Sequence, residues 1–387
     1  MSTALLARDP DLARLLDDGY EVTLVAGHVI VRIPYVTDNR TVEHGFLAHP
    51  ITVAGDRLVS GTDHRIWFGG STPCDEHGRP LTLANPETRV IADGVQANFM
   101  LSSKPPDGYP DQYTKLTAYV RIVADHAQAL DPSATPTPGA AWQEIDDDSP
   151  FAYRDTATSR AGITAVNRRF RGQRIAIVGL GGSGSYILDQ VAKTEVDSIL
   201  LIDGDTFDNH NAFRAPGAAT LDTLRARPSK ATYFASVYTH MHRGVTGCVQ
   251  YLDEDNLALL DGATFVFLAS DDAASKLPVM DWLEAHDVPF IDVGMGIEEI
   301  DGHLSGLLRI TTSLPGRRDT ARHRIPRPAP ERDAYASNIQ TADLNALNAN
   351  LAVIRWKRSL GIYADATDEA HTTYSLITNE IANEDLP

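Results

Sequence analysis

The sequence predicts a doubly wound α/β domain preceded by a smaller α+β domain. Three observations carry this. Apolar runs alternate with helical segments after residue 150, β-branched stretches dominate before residue 130, and a stretch rich in Pro, small residues and acids separates the two. The stretch DPSATPTPGAAWQEIDDDSP cannot build a packed core and reads as a linker. The expected division is an N-terminal domain over 1–130, a linker over 131–150 and an α/β domain over 151–387.

The first domain opens with a helical pattern, PDLARLLDD, ended by Gly19. YEVTLV and HVIVRIPYV come next as paired strands around Ala26 and Gly27. ITVAGDRLVS, HRIWFGG and TAYVRIVA read as further strands from their β-branched content. In the second domain a strand from Arg174 to Val178 runs into glycines. A helix comes after them, with apolar positions at Ile187, Leu188, Val191 and Ala192. SILLID ends at Asp203, TFVFLAS at Asp271 and VPFIDVG at Gly294, each as a strand with a crossover helix between. The last long helix covers NIQTADLNALNANLAVIRWKRSL and stops at Gly361.

Composition narrows the function. The 387 residues are 43% hydrophobic and carry a formal net charge of -18. That charge disfavours nucleic acid and anionic membranes, which are held mainly by Lys and Arg. No apolar run is long enough to span a bilayer, and the N-terminus lacks the pattern of a secretory signal. The only cysteines, Cys74 and Cys248, form no C-x-x-C pair. Sparse cysteine suits a reducing cytoplasm and disfavours a structural zinc.

IVGLGGSGS places Gly179, Gly181 and Gly184 in G-x-G-x-x-G spacing, with Gly182 inside it. Such a turn lets backbone approach a phosphate at a helix N-terminus, and Asp203 stands where an acid meets a ribose hydroxyl. This is a Rossmann-like nucleotide site, open on this evidence to NAD or ATP.

The segment after Asp203 bears on that choice. IDGDTFDNHNAFRAPG resembles the stretch after the second strand in ThiF, MoeB and ubiquitin-activating enzymes, and the resemblance runs over roughly residues 151–363. Asp203, Asn211 and Arg214 match the family spacing. Lys230 stands at its phosphate-binding lysine, after a few extra residues, and Asp271 at its magnesium-linked aspartate. Asp272 departs from the family's asparagine, and Lys276 lies one helical turn on, facing nucleotide or water. Arg160, in ATSRAGI, resembles the arginine that the family supplies across a dimer interface.

The resemblance implies an ATP- and Mg-dependent adenylyltransferase. It would activate the C-terminal carboxylate of a ubiquitin-like or sulfur-carrier protein ending in glycine, as a homodimer, with a conjugating protein as a further partner. Arg214 and Lys230 offset the charge of a triphosphate, Asn211 offers neutral donors and Asp271 a metal ligand. A nicotinamide oxidoreductase, which needs no such cations, and a non-catalytic nucleotide-binding scaffold are the rivals.

Two departures stand out. The thioester cysteine of ubiquitin-activating enzymes lies after the magnesium aspartate, and this chain has no cysteine after Cys248. The zinc cysteines of MoeB-like members are also missing. The region SLPGRRDTARHRIPRPAPERDA reads either as a loop crossing an incoming tail or as solvated chain. Cys248, in a strand, reads as a small hydrophobe. Cys74, with His64 and His77 near in sequence, is structural or, as an exposed loop thiol, an acyl acceptor.

Overall fold

The structure, a computed structural model, describes residues 9–54, 57–59, 63–139, 148–270, 273–326 and 339–384. The chain forms two compact units. One comprises Met1–Ser149 with Tyr153–Ile163, the other Pro150–Ala152 with Thr164–Pro387.

The first unit starts with helix α1 (Pro10–Asp17), where Asp9 accepts hydrogen bonds from the Asp11 and Leu12 amides and Pro10 takes the first turn. Leu12, Leu15 and Leu16 are its buried stripe. Strands β1 (Val22–Val25) and β2 (His28–Val36) form a hairpin whose turn residues, Ala26 and Gly27, both have positive φ. The sheet continues with β3 (Val42–Pro50). A small separate hairpin, β4 (Thr52–Ala54) and β5 (Arg57–Val59), leads to β6 (Ile66–Gly69), β7 (Ala84–Ala92) and β8 (Val95–Leu101). The six-stranded antiparallel order is β1-β2-β3-β6-β8-β7.

Helix α2 (Gln112–Leu130) covers one face of this sheet. TAYVRIVA lies inside α2 and is not a strand. Leu116, Tyr119, Val120, Val123, Ala124 and Ala127 are buried at helical spacing, and Asp111 caps the helix by accepting from the Thr114 amide. The helical period therefore overrides the β-branched content of the segment. Val29, Val31, Ile33 and Tyr35 of β2 alternate inward into the same core.

The second unit is Rossmann-like. Its strands are β9 (Arg174–Val178), β10 (Ser198–Ile202), β11 (Val245–Cys248) and β12 (Phe265–Leu268), then β13 (Phe290–Ile300), β14 (His303–Ser313), β15 (His371–Ser375) and β16 (Glu380–Glu384). Helices α3 (Gly182–Val191), α4 (Lys230–Tyr238), α5 (Ala273–Ala285) and α6 (Ala342–Ser359) interleave. The order is β11-β10-β9-β12-β13-β14-β15-β16, parallel through β13 and antiparallel beyond it.

Alternation sorts the two cores. Ile175 and Ile177 of β9 face a cluster with α3, α4 and α6, where Trp356 is fully buried. Ala176 and Val178 face another cluster with Val279, Met280 and Leu283 of α5. Both faces are covered, so these strands read as unbroken apolar runs. VPFIDVG does not end at Gly294: β13 runs on to Ile300 and turns back into β14, giving the sheet an antiparallel half. The order reverses at β9, which leaves a crevice beyond the carboxyl ends of β9, β10 and β12. No helix among the described residues is long and apolar enough to cross a membrane.

Candidate functional site

A cavity of ≈ 460 Å³ opens in that crevice, within the size range of nucleotide-sized sites. Of the sequence-predicted residues, Gly179, Gly181, Gly182, Asp203, Arg214 and Lys230 line it.

The glycines divide by task. Gly179 has φ +90°, and a Cβ there would meet the Ala269 and Ser270 backbone at 2.8 Å. A Cβ at Gly184 would lie 1.9 Å from the Gly179 carbonyl, so Gly184 packs helix on loop and stands behind the cavity wall. A Cβ at Gly182 would collide with the Asn345 side chain. Over Gly181, the N-cap of α3, there is open space. The first amides of α3 have no partner within the helix, so they offer donors and the positive end of its dipole to an anion.

Asp203 comes directly after β10 and is buried. Its Oδ2 accepts from the Leu180 amide at 2.6 Å and its Oδ1 from the Asp205 amide at 2.8 Å. Burial pushes its carboxyl upward, against the hydrogen bonds and the nearby Lys230. Lys230, the first residue of α4, is also buried. Its Nζ donates to Asp205 Oδ2 at 2.6 Å and lies 3.9 Å from Asp203 Oδ2. That hydrogen bond holds Asp205 below the usual carboxylate range. Tyr251 donates to the other Asp205 oxygen at 2.5 Å, and its ring lies against Gly204, where a Cβ would be 2.7 Å away.

Asn211 does not border the cavity. Its Oδ1 accepts from the Asp208 amide in a capping box, and its buried Nδ2 has no acceptor among the described residues. Its carbonyl accepts from the Arg214 amide, so it shapes the turn that carries Arg214. Arg214 reaches the wall with its Nε buried and likewise without an acceptor. The unmet Arg214 donor, on a wall that carries Lys230 and Lys276 as well as Asp203 and Asp205, suits an anionic ligand.

Lys276 does not face open water. It is buried at the cavity wall, and its Nζ donates to Asp292 Oδ1 at 2.6 Å. Asp271 and Asp272 lie outside the described residues, and so does the Arg160 side chain, whose backbone ends the short helix Thr156–Arg160. Among the described residues no cluster of three or more metal-ligating side chains forms.

Cys74 is not an exposed loop thiol. It is buried between Val36, Ala127 and Ala134, its Sγ donates to the Thr72 carbonyl at 3.4 Å, and burial pushes the thiol upward. Cys248 ends β11 and is half-buried. Of the arginine-rich region, Ala321 and Ile325 pack into the α5 core, while 327–338 lie outside the described residues.

Sequence reasoning did not single out Asp205, Tyr251, Asn345 or Asn348, which also line the cavity. Asn345 and Asn348 sit one turn apart on the buried face of α6. Ser183 donates to Asn345 Oδ1, and Asn348 donates to the Ser183 hydroxyl and the Gly294 carbonyl. Two asparagines on the mostly apolar face of the last long helix are the available signal.

The sequence profile of the ThiF family matches residues 154–376, more than half of the chain. A domain of unknown function, DUF6791, matches residues 10–156. No curated protein matches. Among solved structures, E. coli MccB with MccA-N7isoASN aligns at 14% identity over 59% of this chain and 70% of that one, TM-score 0.47. E. coli MccB with ATP aligns at 16% identity over 60% and 71%, TM-score 0.47. E. coli tRNA N6-threonylcarbamoyladenosine dehydratase, TcdA, aligns at 19% identity over 53% and 92%, TM-score 0.40.

Proposed function

The chain belongs to the ThiF family, and from that premise we propose that it is an ATP-dependent adenylyltransferase acting on a protein C-terminal carboxylate. The observation that carries the reading is the convergence of Arg214, Lys230 and the open amide end of α3 on one cavity beside Asp203. A triphosphate needs cations and backbone donors together, and a nicotinamide cofactor does not need that set.

In this reading Asp203 accepts from the ribose, α3 and Gly181 receive phosphate oxygens, and Arg214 and Lys230 offset the charge that grows on pyrophosphate. A substrate carboxylate oxygen bonds to the α-phosphorus as the bond to the β-phosphate oxygen breaks. The chain's task is to position two anions and exclude water. Magnesium supplies further charge neutralisation when bound, and Asp271 is the proposed ligand.

The proposed substrate is a ubiquitin-like or sulfur-carrier protein ending in glycine. We place the enzyme in a homodimer, with Arg160 reaching the partner's site and the N-terminal unit recruiting the substrate or a conjugating protein. Calorimetry with ATP and with NAD tests the nucleotide. ATP–pyrophosphate exchange with candidate carrier proteins tests the chemistry, and Asp271→Asn should greatly weaken that magnesium-dependent exchange. Binding of NAD in preference to ATP, or exchange at the wild-type rate in Asp271→Asn, counts against the assignment.

A further inference from the structure

We propose that Arg309 is the anchor for the carboxylate of the acyl substrate, held ready beside the nucleotide cavity by Asp292 and Gly294. This rests on the adenylation reading above.

A second cavity adjoins the nucleotide cavity on one face of the antiparallel half-sheet. The two share Lys276 and Gly294, and the second is floored by Gly294 and Gly296 and flanked by Leu307 and Arg309. Register places Gly294 opposite Arg309 and Gly296 opposite Leu307, so these residues lie side by side on one face. Leu308, between them, points to the other face and packs with Leu344 of α6.

Asp292 is fully buried between two cations. Lys276 donates to its Oδ1 at 2.6 Å, and Arg309 Nη2 stands 2.7 Å from its Oδ2. Among the described residues, two cations sharing this one carboxylate leave a positive charge in excess at this end of the cavity. His371 does not add to it, because burial and the nearby Arg324 and Arg309 push its imidazole down to about 4. Glu298 borders the far end of the trough.

The geometry separates the two cations. Lys276 alone would satisfy the charge of Asp292. Arg309 lies over Gly294 so closely that a Cβ there would be 2.4 Å from Nη2, and its contact with Oδ2 is out of line for a hydrogen bond. Its Nη1 donates to Thr311 Oγ1 at 3.0 Å, which fixes the guanidinium plane. Among the described residues the guanidinium thus keeps donors for a carboxylate, which it can grip with two parallel N–H groups. A carboxylate seated there lies at the mouth of the nucleotide cavity. Attack then forms the bond from its oxygen to the α-phosphorus and breaks the bond to the pyrophosphate oxygen, which keeps the electron pair. No proton has to move.

The test uses the full chain with a non-hydrolysable ATP analogue. A labelled synthetic peptide ending in Ser-Gly-Gly is titrated as the free acid and as the C-terminal amide. The acid should bind about tenfold or more tightly than the amide. Arg309→Gln should erase that preference while the affinity for the analogue, read by calorimetry, is kept. Arg309→Lys, which restores a cation, should recover part of it, and thermal melts should report whether both variants fold. Acid and amide binding alike on the unsubstituted chain, or a preference that survives in folded Arg309→Gln, overturns the proposal. Failure of the nucleotide reading would appear separately, as no heat for the analogue with the acid preference intact.

Discussion

The ammonium of Lys230 lies 2.6 Å from Asp205 and 3.9 Å from Asp203, so the cation proposed for the phosphates is already paired before nucleotide arrives. The lysine is buried while the Asp205 carboxylate is half exposed, so solvent screens the pair in part and a multiply charged anion can take the lysine over. A triphosphate is such an anion. Lys230→Met should therefore cut ATP–pyrophosphate exchange by about 10²–10³-fold. Asp205→Asn, which leaves the lysine its charge and a neutral acceptor, should cost less. Equal exchange in Lys230→Met and the unsubstituted chain would remove the lysine from the reaction.

The thiols are expected to be dispensable for adenylation. Cys74 is packed in the core of the N-terminal unit, and Cys248 contributes its carbonyl, which accepts from the Asp203 amide, rather than its sulfur. Serine at 74 can donate to the same Thr72 carbonyl, and alanine at 248 leaves the backbone as it is. The double variant Cys74→Ser, Cys248→Ala should keep pyrophosphate exchange, with a stability loss of about 1–3 kcal/mol from the buried site. Loss of exchange in a folded double variant would contradict this.

Acid should destabilise the N-terminal unit through His49. Lys115, on α2, donates to His49 Nδ1 at 3.1 Å and to the Asp63 and Arg65 carbonyls at 2.7 and 2.9 Å. That nitrogen must stay unprotonated. Burial, with Lys115 beside it, pushes the His49 imidazole down to about 3, while an unfolded histidine titrates near 6.5. As pH falls below about 6.5 the unfolded chain takes up a proton that the folded chain refuses, so stability drops, by up to about 1.4 kcal/mol per pH unit, until about pH 3. Asp63, His28 and Gln112 also act on the ring, so the measurement is a difference. Urea melts of the whole chain and of His49→Gln, tracked through hydrogen exchange of the β2–β3 amides, should show a shallower acid slope in the variant. Identical slopes would exclude His49.

The parts legible in the sequence are those whose signal is local. The glycine turn, Asp203 after its strand and the 3.6-residue period of α3 each declare themselves within a few residues. Asp205, Tyr251, Asn345 and Asn348 reach the cavity from separate elements, and no single window contains their relation. TAYVRIVA misled because Val120, Ile122 and Val123 favour strands in isolation, while Leu116 and Ala127, outside the window, complete the helical stripe. Strands β3, β7 and β8 are absent from the sequence reading, and in β7 the exposed residues and register shifts hide the alternation. The arginine trough lies on a face made by β13, β14 and β15, so it existed only after pairing.

The nucleotide site is expected to be shared between subunits. Arg160 belongs to the unit that ends at Ile163, and the chain enters the second unit at Thr164. Within its own chain, the cavity wall brings Arg214 and Lys230 to the nucleotide, and Lys230 comes already paired with Asp205. Pyrophosphate leaves with more charge than that wall offsets, so a further cation from a second subunit suits the reaction. Asp155, five residues before Arg160, accepts from the Ala157 and Thr158 amides and from the Thr158 hydroxyl, so its carboxylate is engaged in the turn of its own helix. Arg160→Ala and Asp203→Ala should each abolish exchange alone. Mixed, they form some dimers holding one intact site, with Asp203 from one chain and Arg160 from the other. Partial recovery on mixing, rising with the fraction of mixed dimers seen by native mass spectrometry, is the expected result. Mixed dimers without recovery would mean that each site uses only its own chain's arginines.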